Sequence, residues 1–229
     1  MALRPIMKTM TLPERILLGL LVVVGFLAAV NPIVPEEVTT PLHWADASLM
    51  LLAAANVLLA VIRRDGRRDA LISLSIVIAG AGLVTAMGAA TGRPFGPFEY
   101  TSNLGPRIMG ILPVAVPFLW YAVIASGHYL VFHFARFKSR RLTALAVAAW
   151  VALFDILFEP FAAFVKSYWH WNTTEIPSQN YVAWFVAAFV LVRIAPFGRG
   201  PIDRFDPRPA IVALTLLVIC AVSRIATTI

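Results

Sequence analysis

Two carboxylic acids, Asp155 and Glu159, lie four residues apart within a long apolar segment. Residues at this spacing share one face of a helix, so the two acids should lie side by side. Ionisable groups inside an apolar span are costly to bury and usually serve a function. In an apolar pocket both acids cannot ionise without a large penalty, so one should keep its proton. The pair could donate that proton to a bound molecule. Alternatively it could be structural, holding the helices together through asparagine, tyrosine or arginine partners.

A loop between two apolar segments, Gly92–Gly105, places Phe95, Phe98, Glu99 and Tyr100 close together. It is punctuated by glycine–proline pairs, which predict turns. A loop of this length without secondary structure is more often functional than idle. We therefore expect it to fold inward over the mouth of the protein as a lid.

The segment after this loop contains three prolines that bear on its structure. Pro106 could open a helix, because its missing N–H would have no partner in the first turn. Pro113 and Pro117 would then lie inside that helix and kink it. In a membrane span such a kink is tolerated where neighbours or a cavity satisfy the freed carbonyl groups. The candidate site is expected beside this segment.

The elements that must position these residues are long apolar runs. The chain has 229 residues, of which 60% are hydrophobic and 14% are charged, whereas soluble domains are closer to half apolar and a quarter charged. Apolar runs long enough to span a membrane as helices predict an all-α, polytopic membrane protein. It would have seven transmembrane helices in a single domain, residues 1–229. The predicted spans are 14–33, 44–62, 70–90, 107–133, 141–165, 180–195 (extended to Ser178) and 209–226. The first is read as a signal anchor that is retained as a helix.

The net charge of +7 is better explained by a membrane than by nucleic acid, because the basic residues are distributed unevenly. Fifteen of the 19 lysines and arginines lie on one side of the predicted spans. The positive-inside rule then predicts a cytoplasmic N-terminus and an exterior C-terminus in a bacterial inner membrane. The fifteen are Arg4, Lys8, Arg15, Arg63, Arg64, Arg67, Arg68, Arg136, Lys138, Arg140, Arg141, Arg193, Arg199, Arg204 and Arg208. The turn at 63–68 should simply face anionic lipid.

The chain lacks the residues needed for two other functions of seven-helix membrane proteins, retinal binding and metal-dependent hydrolysis. A retinal Schiff base needs a lysine in the last helix, and Lys8, Lys138 and Lys166 all lie elsewhere. The four histidines are scattered over both sides, and His128 and His133 are five apart, so no metal site is expected. The single cysteine, Cys220, should be a small core residue.

Motifs along residues 88–184 resemble those of a known family. FGPFEYTSNLGP, followed by a proline-containing segment that ends in tryptophan, resembles the membrane-embedded carotenoid biosynthesis proteins that include the carotenoid 1′,2′-hydratases. Asp155, Glu159-Pro160, Tyr168-Trp169 and Trp171 look like the family's D…DP…YWxW pattern. Ile176-Pro177, Asn180-Tyr181 and Trp184 are similar to its VPxxNFxGW run. Glu159 departs from the pattern, since the family commonly has aspartate there.

The resemblance implies hydration of the terminal isopropylidene double bond of an acyclic carotenoid, which gives a tertiary alcohol. That chemistry needs a protonated carboxylic acid, aromatic faces beside the cation and a positioned water, but no cofactor or metal. Glu159 is predicted as the proton donor and Asp155 as its supporting base. Asp155, Asn180 or His170 could hold the water. The candidate substrate-binding residues are Glu99, Tyr100, Asn103, Arg107, Tyr168, Trp169, Trp171, Asn180 and Trp184.

The expected partners follow from the same reading. A long polyene would enter from the lipid phase, and no nucleic acid should bind. The protein could form a homo-oligomer or associate with other carotenoid enzymes. The alternative to a hydratase is a non-catalytic protein that binds carotenoid or acts as a scaffold in a pigment assembly.

Overall fold

The computed structural model describes residues 10–31, 44–200 and 205–226, the last five of them by backbone alone. Within these ranges the chain forms seven α-helices, as the apolar runs predict. They are α1 Leu12–Val30, α2 Trp44–Asp65, α3 Arg67–Thr91, α4 Ala115–Phe134, α5 Arg140–Pro160, α6 Ser178–Ile194 and α7 Arg208–Ala226. Helix α5 continues as a π-helical segment, Phe161–Val165. Arg4, Lys8 and Arg204, which were counted in the charge distribution, lie outside the described residues, as does His43, one of the four scattered histidines.

Five of these helices, α1 to α5, are long and apolar enough to cross a membrane, whereas α6 and α7 are shorter apolar helices. The helical architecture is therefore confirmed, while the count of seven spans and the orientation of the termini stay predictions. Apolar side chains cover the outward faces of the bundle, for example Leu83 at 73% exposure and Val182 at 62%. That distribution is typical of a helical bundle whose solvent is lipid.

Helix α3 packs closely on its neighbours at its glycines. A Cβ atom at Gly80 would lie 2.5 Å from Leu191 of α6, and one at Gly88 would lie 2.5 Å from Phe95 of the lid loop. Small residues at these positions therefore let α6 and the loop approach the helix axis. Elsewhere, Asn56 of α2 donates a hydrogen bond to the Leu17 carbonyl of α1, which joins the two helices.

The predicted helix across 107–133 begins later than expected, at Ala115. Residues before it form a small hairpin, in which β2 (Arg107–Ile108) pairs antiparallel with β3 (Leu112–Pro113). The backbone has positive φ angles at Met109 (51°) and Gly110 (75°), which close the hairpin and are incompatible with a helix. The predicted helix start at Pro106 and the kink at Pro113 and Pro117 are therefore wrong. Pro117 instead lies in the first turn of α4, where its missing N–H leaves no carbonyl unsatisfied.

The turn at 63–68 does more than face lipid. Arg64 and Asp65 form a bidentate ion pair, with both nitrogen–oxygen distances at 2.8 Å, and the Arg64 side chain is buried against the Tyr129 ring. The Asp65 carboxylate also accepts the backbone N–H groups of Gly198 and Gly200. This pair therefore anchors the connection between α6 and α7 to the end of α2.

Candidate active site

The two acids of α5 lie on the same buried face, as their spacing predicts. Asp155 and Glu159 are 0% and 1% exposed. Asn180, in the first turn of α6, donates from Nδ2 to Asp155 Oδ2 at 2.8 Å. This hydrogen bond joins the start of α6 to the buried face of α5.

Two tryptophans hold the outer carboxyl, that of Glu159. The indole Nε1 atoms of Trp169 and Trp171 donate to the same oxygen, Glu159 Oε1, at 2.6 Å and 2.7 Å. Both residues belong to β4 (Trp169–Trp171). Alternate residues of a strand point to the same face, so this short strand brings both indoles to one carboxyl oxygen. The other oxygen, Oε2, accepts no hydrogen bond from these two indoles.

The lid loop packs over this arrangement through a strand that the sequence did not reveal. β1 (Phe98–Tyr100) pairs antiparallel with β4, so that Phe98 lies opposite Trp171 and Tyr100 opposite Trp169. The ring centroids of these two pairs are 5.4 Å and 5.9 Å apart. Phe95, at 3% exposure, completes the inner surface of the loop. The predicted packing of the loop onto the protein is confirmed.

Beneath the lid is a cavity of about 30 Å³, which has room for about two water molecules. Its walls are almost entirely apolar and aromatic, and Glu159 is the carboxylic acid among them. Asp155 lies one turn deeper, behind the wall, and its Oδ1 atom has no hydrogen-bond partner within the described part of the chain. The cavity is lined by Met50, Thr85, Phe95, Phe98, Tyr100, Val116, Leu119, Trp120, Phe158, Glu159, Trp169, Trp171, Asn180 and Trp184.

Five of the nine predicted substrate-binding residues line this cavity: Tyr100, Trp169, Trp171, Asn180 and Trp184. The pKa of Tyr100 is raised above its ordinary value, mainly because the hydroxyl is buried and also because the Glu159 carboxyl is nearby. The Tyr100 hydroxyl therefore keeps its proton at neutral pH.

The other four predicted residues lie outside the cavity and support the lid. Glu99 is on the exposed face of β1, opposite His170, so neither of these two side chains faces Glu159. Asn103 donates to the Lys166 carbonyl at 3.0 Å, and Arg107 donates to the Tyr100 carbonyl at 2.7 Å. These hydrogen bonds hold the loop in place.

Tyr168, the fourth, lines a second small cavity together with Asp46, which forms a buried ion pair with Lys166. Lys166 Nζ is 3.0 Å from Asp46 Oδ1 and donates to the Ala28 carbonyl at 2.8 Å. Burial lowers the pKa of Lys166, and the Asp46 carboxylate opposes that shift. Burial and the Asp46 carboxylate together raise the pKa of Tyr168. Lys166 therefore joins the end of α5 to α1 and α2.

Trp120 is a cavity residue that the sequence reasoning did not single out. Its ring stacks on Trp184 with centroids 3.9 Å apart, and its Nε1 atom is a buried donor without a partner in the described residues. Its position at the end of the proline-containing motif could have indicated a role in the site. Val116, four residues earlier and thus on the same side of α4, also lines the cavity.

The fold and the site together define a helical bundle of the membrane type with a buried carboxylic acid in an aromatic cavity. The chain belongs to the carotenoid biosynthesis protein family, whose model matches residues 45–228. This finding confirms the resemblance seen in the motifs, and it makes carotenoid biosynthesis the process in which the protein takes part.

A curated relative points to the same kind of chemistry. The chain is 30% identical over 155 residues to a bisanhydrobacterioruberin hydratase of Haloarcula japonica, an alignment that covers 66% of this chain and 51% of that protein. The chain thus spans about half the length of the curated relative it matches. No solved structure matches the chain.

Proposed function

We propose that the protein is a carotenoid 1′,2′-hydratase, which adds water to the terminal isopropylidene double bond of an acyclic carotenoid. The observation that carries this proposal is the placement of Glu159, a buried carboxyl in an aromatic cavity with one oxygen held by two indoles. Membership of the carotenoid biosynthesis family and the similarity to a hydratase support a carotenoid substrate and a hydration reaction.

The reaction begins with proton transfer from Glu159. Because both indole N–H groups donate to Oε1, that oxygen is an acceptor, and the acid form carries its proton on Oε2. The alkene π electrons take this proton to form a C–H bond at the less substituted carbon. The neighbouring carbon becomes a tertiary cation, and the aromatic faces of Tyr100, Trp169 and Trp171 stabilise it.

Water capture completes the reaction and restores the site. The oxygen of a cavity water bonds to the tertiary carbon, and one of its protons returns to the carboxyl pair. Asp155 does not line the cavity, and we infer that it supports this step through Asn180, which lines the cavity and donates to Asp155 Oδ2. The sum is alkene plus water giving tertiary alcohol, with no change in the protein.

The test separates catalysis from binding. Purified protein is examined for the absorption spectrum of a bound polyene, and an acyclic carotenoid is then added and analysed for a mass gain of one water. The proposal expects both signals. Binding without any mass gain would instead support the alternative, a carotenoid-binding or scaffold protein.

We also propose that all seven helices span a bacterial inner membrane, with the N-terminus cytoplasmic, the C-terminus exterior and the lid facing outward. The uneven distribution of basic residues supports this orientation. Cysteine introduced by Arg67→Cys should resist a membrane-impermeant thiol reagent applied to intact cells, whereas Thr173→Cys should react. The native Cys220 is buried, so background labelling should be low. Strong labelling at position 67 from outside would overturn the orientation.

The two indole donors should matter for the rate. Trp169→Phe and Trp171→Phe each keep an aromatic face and remove one hydrogen bond to Glu159. Because a hydrogen bond to a charged or partly charged group is worth about 1.5–3 kcal/mol, each variant should lower kcat by about 10- to 100-fold. Trp44→Phe, on the exposed start of α2, is the matched control and should leave kcat unchanged. Wild-type kcat in both Trp169→Phe and Trp171→Phe would remove the indoles from the mechanism.

A further inference from the structure

A cavity of about 30 Å³ cannot enclose a long polyene, so most of such a substrate must lie outside it. A second space lies directly behind the cavity wall, between α3 and α6. It is a groove of about 540 Å³ with almost entirely apolar walls, and Val84, Pro94, Ala183 and Ala187 are among its lining residues. This volume is in the range of small-molecule binding sites.

The groove and the cavity share a thin wall. Each of these groove residues but Ala187 is the immediate neighbour of a cavity residue: Val84 precedes Thr85, Pro94 precedes Phe95, and Ala183 precedes Trp184. Consecutive residues on a helix point about 100° apart, so the two spaces occupy adjoining faces of α3 and α6. The shared segments of α3, α6 and the lid loop therefore form the wall between the groove and the cavity that contains Glu159.

The packing of the two helices explains why the groove opens where it does. Helices α3 and α6 are in close contact at Gly80 and Leu191, where a side chain on the glycine would clash. The groove lies on the lid side of this contact and extends along α6 from Ser178 to Ala187. That length corresponds to about 14 Å at 1.5 Å per residue. The groove is therefore closed at one end and continues toward the lid at the other.

We propose that this groove holds the part of the polyene next to the reacting end, with the remainder of the molecule in the lipid. The assignment rests on the proposed function. A lipid acyl chain is also apolar, but nothing requires it to reach a carboxylic acid. A carotenoid must deliver its end group to Glu159 while its chain stays in an apolar phase, and the groove adjoins the cavity on the lipid-facing side of the bundle.

Filling the groove tests the proposal. Val84→Trp and Ala187→Trp place a large ring in it, while Leu83→Trp and Val190→Trp place the same ring on the same helices at exposed positions outside it. Each variant is assayed with a long acyclic carotenoid and with a short isoprenoid that has the same isopropylidene end. The groove variants should raise KM for the long substrate at least about tenfold, because several buried CH groups lose their contacts. They should leave KM for the short substrate unchanged. The control variants should leave KM unchanged for both substrates. An unchanged KM for the long substrate in both groove variants would overturn the proposal.

A binding measurement keeps this inference separate from the proposed function. Ala187→Cys and Val190→Cys are labelled with a membrane-permeant maleimide, with and without the long carotenoid. Protection at position 187 and none at 190 is expected, even if the wild-type protein hydrates nothing. In that case the groove stands and the hydratase proposal fails. Equal labelling of Ala187→Cys with and without the carotenoid, or equal protection by phospholipid alone, would contradict the groove assignment.

Discussion

Glu159→Gln is expected to abolish hydration while leaving the protein folded and able to bind carotenoid. The amide keeps the shape of the side chain, and its oxygen can still accept the indole N–H groups, but it has no acidic proton to deliver. Removal of a general acid typically lowers a rate by about 10²- to 10⁴-fold. The measurement is the turnover of an acyclic carotenoid, with the absorption of the bound polyene as the check on folding and binding.

Glu99→Gln is the matched control, because Glu99 lies on the exposed face of β1 and points away from the cavity. It should leave turnover unchanged. Near-normal turnover in Glu159→Gln would remove Glu159 from the mechanism. If Asp155→Asn were then the inactive variant, the two acids would exchange roles, with the deeper carboxyl as the donor.

Breaking the Asp46–Lys166 ion pair should cause the largest loss of stability among the polar contacts at the lid end of the bundle. Both side chains are 5% exposed, so Lys166→Met removes the lysine partner of a buried carboxylate. Removing one partner of a buried pair typically lowers the free energy of unfolding by about 3–5 kcal/mol. Thermal or denaturant unfolding of the purified protein measures the change.

Two further variants show whether the effect comes from the unpaired charge. Asp46→Leu combined with Lys166→Met removes both charges and should recover most of the stability, since an apolar pair of similar size is often as stable as a buried ion pair. Arg199→Met breaks the ion pair with Asp69, whose arginine is 59% exposed, and should change stability by about 0–1 kcal/mol. Equal losses in Lys166→Met and Arg199→Met would contradict the account of this pair.

The helices and the shared face of the two carboxylic acids were predictable from sequence, because both depend on residues that are close together in the chain. Apolar runs of helix length give α1 to α7, and the i, i+4 spacing gives the shared face of Asp155 and Glu159 without any knowledge of the tertiary structure. The lid was predictable as a packed loop, because its aromatic residues need a surface to bury against.

The remaining features depend on contacts between distant parts of the chain. β1 and β4 are three residues each and about seventy positions apart, so neither has a recognisable strand pattern. Without that register, Glu99 could not be distinguished from Phe98 as a residue facing the cavity. Lys166 pairs with Asp46, which is 120 positions away in the sequence, and no local pattern indicates that contact. The hairpin at 107–113 appeared to be the start of an apolar helix, because periodicity alone does not reveal the positive φ angles at Met109 and Gly110.

In the proposed reaction a carboxyl proton is transferred to carbon and a water oxygen bonds to the cation. The measurement is turnover of an acyclic carotenoid in deuterated water enriched in heavy oxygen, followed by mass spectrometry and NMR of the product. The account predicts one carbon-bound deuterium next to the new tertiary alcohol and one heavy oxygen in that alcohol. A product without carbon-bound deuterium, or a carotenoid recovered unchanged from protein that visibly binds it, would contradict it.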